Sequence, residues 1–326
     1  MTTAAEASSP AGETAHAAPA PARPLVSVLT VFWNGADEID RFFRAIDRCR
    51  ARLPFELEMI AVDNASEDGT ADLITERFPW ARLIRNDENV GFAPACNQAL
   101  EASRGRMALL LNPDCEADPE AVAGMARFLK SRKSVGAVGC LLLHGDGLPQ
   151  DSFHREPGAW SYWGTHALVS PPLLKLRKLG HRFFGASTRP RKVAWLMGAA
   201  MMVRRDVFRR VGGMDPEYFM YSEDADWCRR IREAGFSVVH LPQFQITHHH
   251  GTSARRRPEF TFRRLYRSLL MYSCKHHQGW RHLSLRGAVL LDMVLRVPIY
   301  ALTGNFQRLK SAGLVMGMYA QGNPEV

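Results

Sequence analysis

Apolar and polar positions fall into alternating blocks along the first third of the chain. Residues 25–34, LVSVLTVFWN, form a β-branched apolar run that stops at Asn34-Gly35, and Ile39, Phe42, Phe43 and Ile46 then recur at helical spacing. A second apolar strand over residues 56–62 runs into the polar loop 63–70, whose end caps a helix carrying Leu73, Ile74 and Phe78. Residues 82–84 make a short third strand. A helix opens at Asn89-Val90-Gly91-Phe92-Ala93 and covers residues 96–102, and the fourth strand follows at 107–111. Strands alternating with helices at this spacing predict an α/β fold built on parallel βαβ units.

The fourth strand ends abruptly at Asn112-Pro113-Asp114, because proline has no N–H for the ladder. Asp114 therefore sits at a strand's carboxyl end, the edge at which open α/β sheets bind ligands. There it has two readings: a carboxylate that holds a hard cation and phosphate oxygens, or a cap for the helix that starts near Asp118-Pro119-Glu120. Three strand ends carry such groups: Asn34, then Asp63 with Asn64, then Asn112 with Asp114. A nucleotide needs directional acceptors for its base and ribose and a bridging cation for its diphosphate, which these positions supply. Taken singly, Asp63 and Asn64 also suit an Asx-turn and Gly91 a helix entry of positive φ. Neither a Gly-x-Gly-x-x-Gly nor a P-loop occurs, which argues against a dinucleotide enzyme or an ATPase.

The second half is less regular. Residues 135–143 read as a strand, followed by a Gly-, Pro- and aromatic-rich segment with Trp160, Tyr162, Trp163, Phe183 and Phe184, suited to sugar rings or to homo-oligomer contacts. Residues 195–203 read as an apolar strand with small residues at its entry, and 204–211 as a short helix. Next comes an aromatic-rich approach to Glu223, Asp224 and Asp226, with both Glu223 and Asp224 at a helix start. Acids there favour the helix dipole. They also supply what sugar transfer requires, a base for the acceptor hydroxyl. Asp226 is placed to orient Arg229 or Arg230. Three histidines, 248–250, precede Arg255–Arg257; adjacent side chains on an extended chain diverge, which disfavours a three-histidine zinc site.

Composition narrows the class. The 326 residues are 46% apolar, enough for a substantial core, and the formal charge of +9 favours anionic partners. Six cysteines without any C-x-x-C spacing fit a reducing cytosol. Residues 1–23, rich in Ala, Pro, Ser and Thr, read as a disordered tail. Beyond Pro258 an apolar face beside a basic one, in two successive helices, reads as lying on an anionic membrane surface, with packing on the protein as the alternative. The apolar stretch 287–302 is interrupted by Asp292, Arg296 and Pro298 and is short for a span. No nucleic-acid motif is present.

VSVLTVFWN, VDNASEDGT, NVGFAPACNQA, LLLNPD and FMYSEDADWCRR together resemble the successive motifs of family 2 glycosyltransferases with the GT-A fold, in particular a rhamnosyltransferase-like branch, over residues 25–255. The resemblance implies a Rossmann-like mixed sheet flanked by helices: a glycosyltransferase domain over 24–257, divided into a nucleotide-binding half (24–133) and an acceptor half (134–257), and a helical extension over 258–326. It implies that Asp63 contacts the base with Asn64 nearby, that Asn34, Asn89, Gly91, Phe92, Asn97 and Asn112 serve the nucleotide sugar, and that Trp195, Gly198 and Ala199 border the acceptor. Asn112-Pro113-Asp114 stands where the family's Asp-x-Asp metal motif lies, so one carboxylate is missing and Asp114, with His248 of a His-x-x-Gly-x-Ser segment, becomes the protein's hold on Mg²⁺ or Mn²⁺. Asp224 becomes the base, and Glu223 an acceptor ligand. The implied reaction is inverting transfer, with L-rhamnose from dTDP-L-rhamnose as the donor, to a glycan or lipid-linked acceptor at the inner face of the plasma membrane, in a cytoplasmic, peripherally bound enzyme. A nucleotide-sugar-binding protein without catalysis is the alternative, opposed by the retention of Asp114 and the Glu223–Asp224 pair.

Overall fold

A computed structural model describes residues 25–165, 189–249 and 258–324. The N-terminal tail, Phe183, Phe184, His250 and Arg255–Arg257 lie outside the described residues.

The alternation read from the sequence is present. Strand β1 (Val26–Phe32), helix α1 (Ile39–Arg52), β2 (Leu57–Asp63), α2 (Thr70–Arg77), β3 (Arg82–Arg85), α3 (Phe92–Ala102) and β4 (Met107–Leu111) succeed one another. The four strands pair in parallel, with Phe32 beside Asp63 and Leu29 beside Leu110, so their polar ends meet at one edge. The fourth strand is buried along its whole length, as an uninterrupted apolar run between two helical layers must be. Helix α1 buries Phe42, Phe43, Ile46 and Cys49 on one face; Phe43 stacks on Phe78 at 4.2 Å and Phe42 meets Phe32 edge to face at 5.6 Å. Each such ring contributes about 1.5–3 kcal/mol by burial.

After Pro113 the chain makes the two-residue strand β5 (Cys115–Glu116) and enters α4 (Pro119–Ser131). The cap of that helix is Asp118, whose carboxylate accepts the Ala121 N–H at 2.9 Å. Asp114 is therefore not the cap. Strand β6 (Val135–Leu143) follows, then β7 (Phe153–His154), α5 (Ala159–Thr165), β8 (Arg191–Lys192), β9 (Trp195–Leu196) and β10 (Ala200–Arg204). The apolar run 195–203 is thus two strands rather than one. A turn at residues 197–199 separates them: the Gly198 N–H leaves the ladder for the Asp224 carboxylate, while β9 pairs with β7 and β10 joins the main sheet.

Helix α6 (Arg205–Val211), helix α7 (Glu223–Glu233) and the long β11 (Ser237–His248) complete the sheet. Among the described residues it has nine strands in the order β3-β2-β1-β4-β10-β6-β11-β5, with β8 on β11. Strand β10 runs antiparallel to both neighbours, which turns its amino end, residues 197–200, toward the carboxyl end of β4.

Helices α8 (Pro258–His276), α9 (Trp280–Leu302) and α10 (Phe306–Gln321) follow, packed around a core of their own that includes Tyr162, Tyr266, Leu270, Val289 and Tyr319. The apolar face of α8 is turned inward: Tyr266, Leu269, Leu270 and Tyr272 are buried. This corrects the reading of that helix as membrane-facing. The exposed apolar surface belongs to α9, where Leu283, Leu291, Val294, Leu295, Ile299 and Leu302 face outward. Its interruptions are internal: Asp292 is fully buried, accepting the Tyr162 hydroxyl at 2.6 Å and Arg296 at 2.7 Å. No described helix is long and apolar enough to cross a membrane.

Candidate active site

Among the described residues the backbone takes positive φ at four non-glycine positions, two on the rim formed by the strand ends, just beyond β1 and β2, and two directly before α7. Asn34, Ala65, Tyr221 and Ser222 have φ between 52° and 71°. Such residues persist only where the surroundings impose them, and they collect at functional sites.

On the nucleotide side, Asn34 and the loop after β2 hold each other. The Asn34 N–H donates to Ser66 Oγ at 2.9 Å and its side chain accepts the Glu67 N–H at 2.8 Å. Asp63 accepts the Ser66 N–H, three residues on, at 3.1 Å through Oδ2, but its Oδ1 is buried without a hydrogen-bond partner. A buried acceptor left unpaired costs roughly 1–3 kcal/mol, and a donor from a bound ligand removes that cost. Asn64 differs. Its amide donates to Asn89 Oδ1 and to the Gly91 carbonyl, and its oxygen accepts from Asn86 and the Val90 N–H. It frames the 89–91 loop from within.

Gly91 has φ of 97°, and a Cβ there would stand 2.8 Å from the Phe219 carbonyl. The next residue, Phe92, donates its N–H to that same carbonyl at 2.6 Å. Asn97 is wholly engaged by the backbone of Met214, donating at 2.7 Å and accepting at 2.8 Å. Asn89, Gly91 and Phe92 thus border the rim, whereas Asn97 ties α3 to the loop before α7.

On the cation side, Asp114 Oδ1 lies 3.2 Å from His248 Nε2. Strand β5 pairs with the end of β11, Cys115 beside His248, which explains how residues so distant in sequence meet. His249 turns away to Glu116, at 2.6 Å. Asp114, Cys115 and His248 offer ligand atoms within 4.8 Å of one another. Cys115 is unsuited: burial pushes its thiol well above the ordinary range, and it donates to the Ala199 carbonyl. A carboxylate and an imidazole remain, a donor set that suits a divalent cation whose other positions are filled by phosphate oxygens and water.

Asn112 and Ala199 link this side to the acids. The Asn112 N–H donates to the Ala199 carbonyl at 2.9 Å, and the preceding residue, Gly198, donates its N–H to Asp224 Oδ2 at 3.0 Å. Asp224 Oδ1 accepts the Ala225 N–H at 2.8 Å. Burial raises the Asp224 carboxyl to about 6, against the pull of these N–H groups. Glu223 goes further: buried and beside the Asp224 charge, its carboxyl is pushed well above the ordinary range, and its Oε2 has no partner. Burial thus raises both neighbouring carboxyls, Glu223 further because the Asp224 charge stands beside it. Asp226, third of the cluster, is structural: it pairs with Arg230 at 2.8 Å and His276 at 2.6 Å.

Trp195 lies half-exposed across the hairpin of β7 and β9, stacked on His154 at 4.4 Å with its indole N–H on the Arg155 carbonyl. Sequence reasoning missed His154, and it missed Glu156, which receives Arg229, Arg232 and the Tyr272 hydroxyl. Burial pushes the Glu156 carboxyl up, but these partners outweigh it and hold the group below its ordinary range. No spacing rule would have marked either, since their partners lie across hairpins and helices.

The mixed sheet that carries the polar strand ends, the carboxylate–imidazole pair and the acid pair has the GT-A fold. The same fold occurs in a mannosyltransferase from Pyrobaculum calidifontis solved with GDP-mannose and Mn²⁺, with a TM-score of 0.53 at 19% identity over 92% of this chain and 76% of that one. GalNAc-T7, solved with UDP, GalNAc and Mn²⁺, gives 0.52 at 17% over 69% of this chain and 43% of its own. The chain belongs to glycosyl transferase family 2, which matches residues 27–212; residues 180–252 also match the family described as N-terminal domain of galactosyltransferase. Among curated relatives, the N-acetylglucosaminyl-diphospho-decaprenol L-rhamnosyltransferase of Mycobacterium tuberculosis is 27% identical over 83% of this chain and 91% of its own length.

Proposed function

We propose that the protein is an inverting glycosyltransferase that moves L-rhamnose from dTDP-L-rhamnose to a lipid-linked glycan acceptor in cell-surface polysaccharide synthesis. The observation that carries the reading is the buried Asp224 carboxylate, held by the Gly198 and Ala225 N–H groups and raised to about 6 beside Glu223, whose carboxyl is raised further by burial. In that state it is ionised near neutral pH yet basic enough to take a proton.

The acceptor hydroxyl attacks the anomeric carbon, its proton passes to Asp224, and the bond to the diphosphate breaks with its electron pair leaving on phosphate oxygen. A single displacement of this kind inverts the centre. Glu223, as the neutral acid, donates a hydrogen bond to the acceptor and orients it. Asp63 Oδ1 accepts the N–H of the pyrimidine base, and Asn34 and Asn89 hold the loops that frame the nucleotide. Asp114 and His248 would hold Mg²⁺ or Mn²⁺, which would offset charge on the departing diphosphate. Trp195 offers a flat apolar face to an acceptor sugar, with Gly198 and Ala199 beside it.

The outward face of α9 supports peripheral attachment to the inner face of the plasma membrane. Of its three arginines, Arg281 is exposed at the start of the helix, while Arg286 and Arg296 turn inward to the Tyr319 and Ala320 carbonyls and to Asp292, leaving Leu291, Val294, Leu295 and Leu302 on an apolar surface. At about 1.5 Å per residue the helix is roughly 34 Å long, a length suited to lying in the interface.

The direct test is product formation from dTDP-L-rhamnose and a short-chain diphosphate-linked N-acetylglucosamine acceptor, with the new linkage read by NMR. Transfer with inversion is expected. Retention of configuration would overturn the mechanism, and transfer only from other nucleotide sugars would overturn the donor.

A further inference from the structure

Strand β6 does not simply end at Leu143. The chain turns sharply, the His144 N–H donating to the Leu148 carbonyl at 2.7 Å and Gly147 adopting φ of 81°, and the Gln150 N–H returns to the Leu142 carbonyl at 2.8 Å. Since β6 runs parallel to β11 with Leu143 beside Thr247, this hairpin delivers the Gln150 side chain to the end of β11, next to His248.

The orientation of the Gln150 amide is dictated by chemistry. Its Nε2 reaches the carbonyls of Leu143, at 3.2 Å, and of His248. Carbonyls only accept, so the NH₂ end must face them. The other end, Oε1, lies 2.9 Å from His248 Nδ1, and an amide oxygen also only accepts, so Nδ1 must carry a hydrogen. In the neutral ring the lone pair is then on Nε2, and Nε2 faces Asp114 Oδ1 at 3.2 Å. A divalent cation would take both the imidazole lone pair and the carboxylate oxygen as ligands.

We propose that Gln150 is the positioning residue of the cation site: it fixes His248 in the Nδ1–H tautomer and so turns the Nε2 lone pair toward a divalent cation shared with Asp114. Outer partners of this kind set both the tautomer and the ring orientation of ligating histidines. The assignment rests on the reading of Asp114 and His248 as cation ligands.

Two measurements on the full-length protein test it. In ¹⁵N-histidine NMR spectra without metal, with His248 assigned by comparison with His248→Asn, the wild-type ring is expected to carry its hydrogen on Nδ1, and Gln150→Met is expected to move it to Nε2. A neutral Nε2–H ring in the wild type would overturn the proposal. In Mn²⁺ titrations of the dTDP-saturated protein followed by electron paramagnetic resonance, Gln150→Met is expected to bind about 10- to 100-fold more weakly. Equal binding by the wild type and the variant would also overturn it. Absence of Mn²⁺ binding by the wild type would sink the cation reading instead, and the tautomer measurement would still judge Gln150.

Discussion

The Asp224 carboxylate accepts the backbone N–H of Gly198 at 3.0 Å, and Gly198 adjoins the Ala199 whose carbonyl takes the Asn112 N–H. One turn of chain thus couples Asp224 to the strand end that carries Asp114. The carboxylate is therefore held against the sheet rather than on a free loop, and if Asp224 is the base, removing its charge should change chemistry without disturbing architecture. Asp224→Asn keeps the acceptor oxygen for Gly198 and should lower kcat by at least about 100-fold with little effect on dTDP affinity. Steady-state kinetics beside calorimetry decide the matter, and near-normal turnover would remove Asp224 as the base. In the wild type kcat should rise with pH through about 6 as Asp224 loses its proton, then level off.

Glu223 carries the opposite expectation for stability. Its folded carboxyl lies well above the ordinary range because it is buried beside Asp224, so the folded state binds its proton more tightly than the unfolded state does. By linkage, the contribution of this group is fully present below its unfolded value and is lost as pH rises toward the folded one. Glu223→Gln should raise Tm by roughly 2–4 °C at pH 8, and the gain should shrink toward pH 4. Thermal melts across that range test the sign; a variant less stable at pH 8 would contradict it.

Asp63 Oδ1 is a buried acceptor without a hydrogen-bond partner, where the proposed base would donate. Asp63→Asn, keeping its oxygen on the Ser66 N–H, would present an amide donor where the base also donates. Affinity for dTDP should fall roughly 10- to 100-fold, in line with the loss of a hydrogen bond to a charged group. Calorimetric titration measures it. Unchanged affinity would take Asp63 out of the base site.

The α9 face predicts binding to vesicles. The full-length protein should sediment with vesicles containing anionic phospholipid, and Leu291→Glu combined with Leu295→Glu, both on the exposed side, should release it while transfer to a short-chain soluble acceptor persists. Undiminished sedimentation of the double variant would exclude this surface.

Much of this was legible in the chain because strands buried on both faces end where polar residues begin. Asn34, Asp63, Asn112 and Asp114 all stand at such breaks, and the helix start at Glu223 was equally plain. What stayed hidden depends on chain reversal or on what covers an apolar stripe. Gln150 reaches His248 only through a hairpin, and Trp195–Val203 divides because one N–H is taken by a carboxylate far along the chain. The stripe on α8 announced that something must cover it; that the cover is protein depended on tertiary packing that periodicity does not encode.

Finally, the contacts of α8 bear on how enzymes of this kind can be rebuilt. His276 closes on Asp226, Lys275 on Asp215 and Glu217, and the Ser268 hydroxyl on the Met220 carbonyl, all in or beside the segment that leads into the acid pair, while Tyr272 closes on Glu156 of the loop before α5. The C-terminal helices are thus not an interchangeable module. A chimera that takes them from another glycosyltransferase would have to import the matching 215–233 segment and the partner of Tyr272 at position 156 with them, so that the two regions would be exchanged as one block.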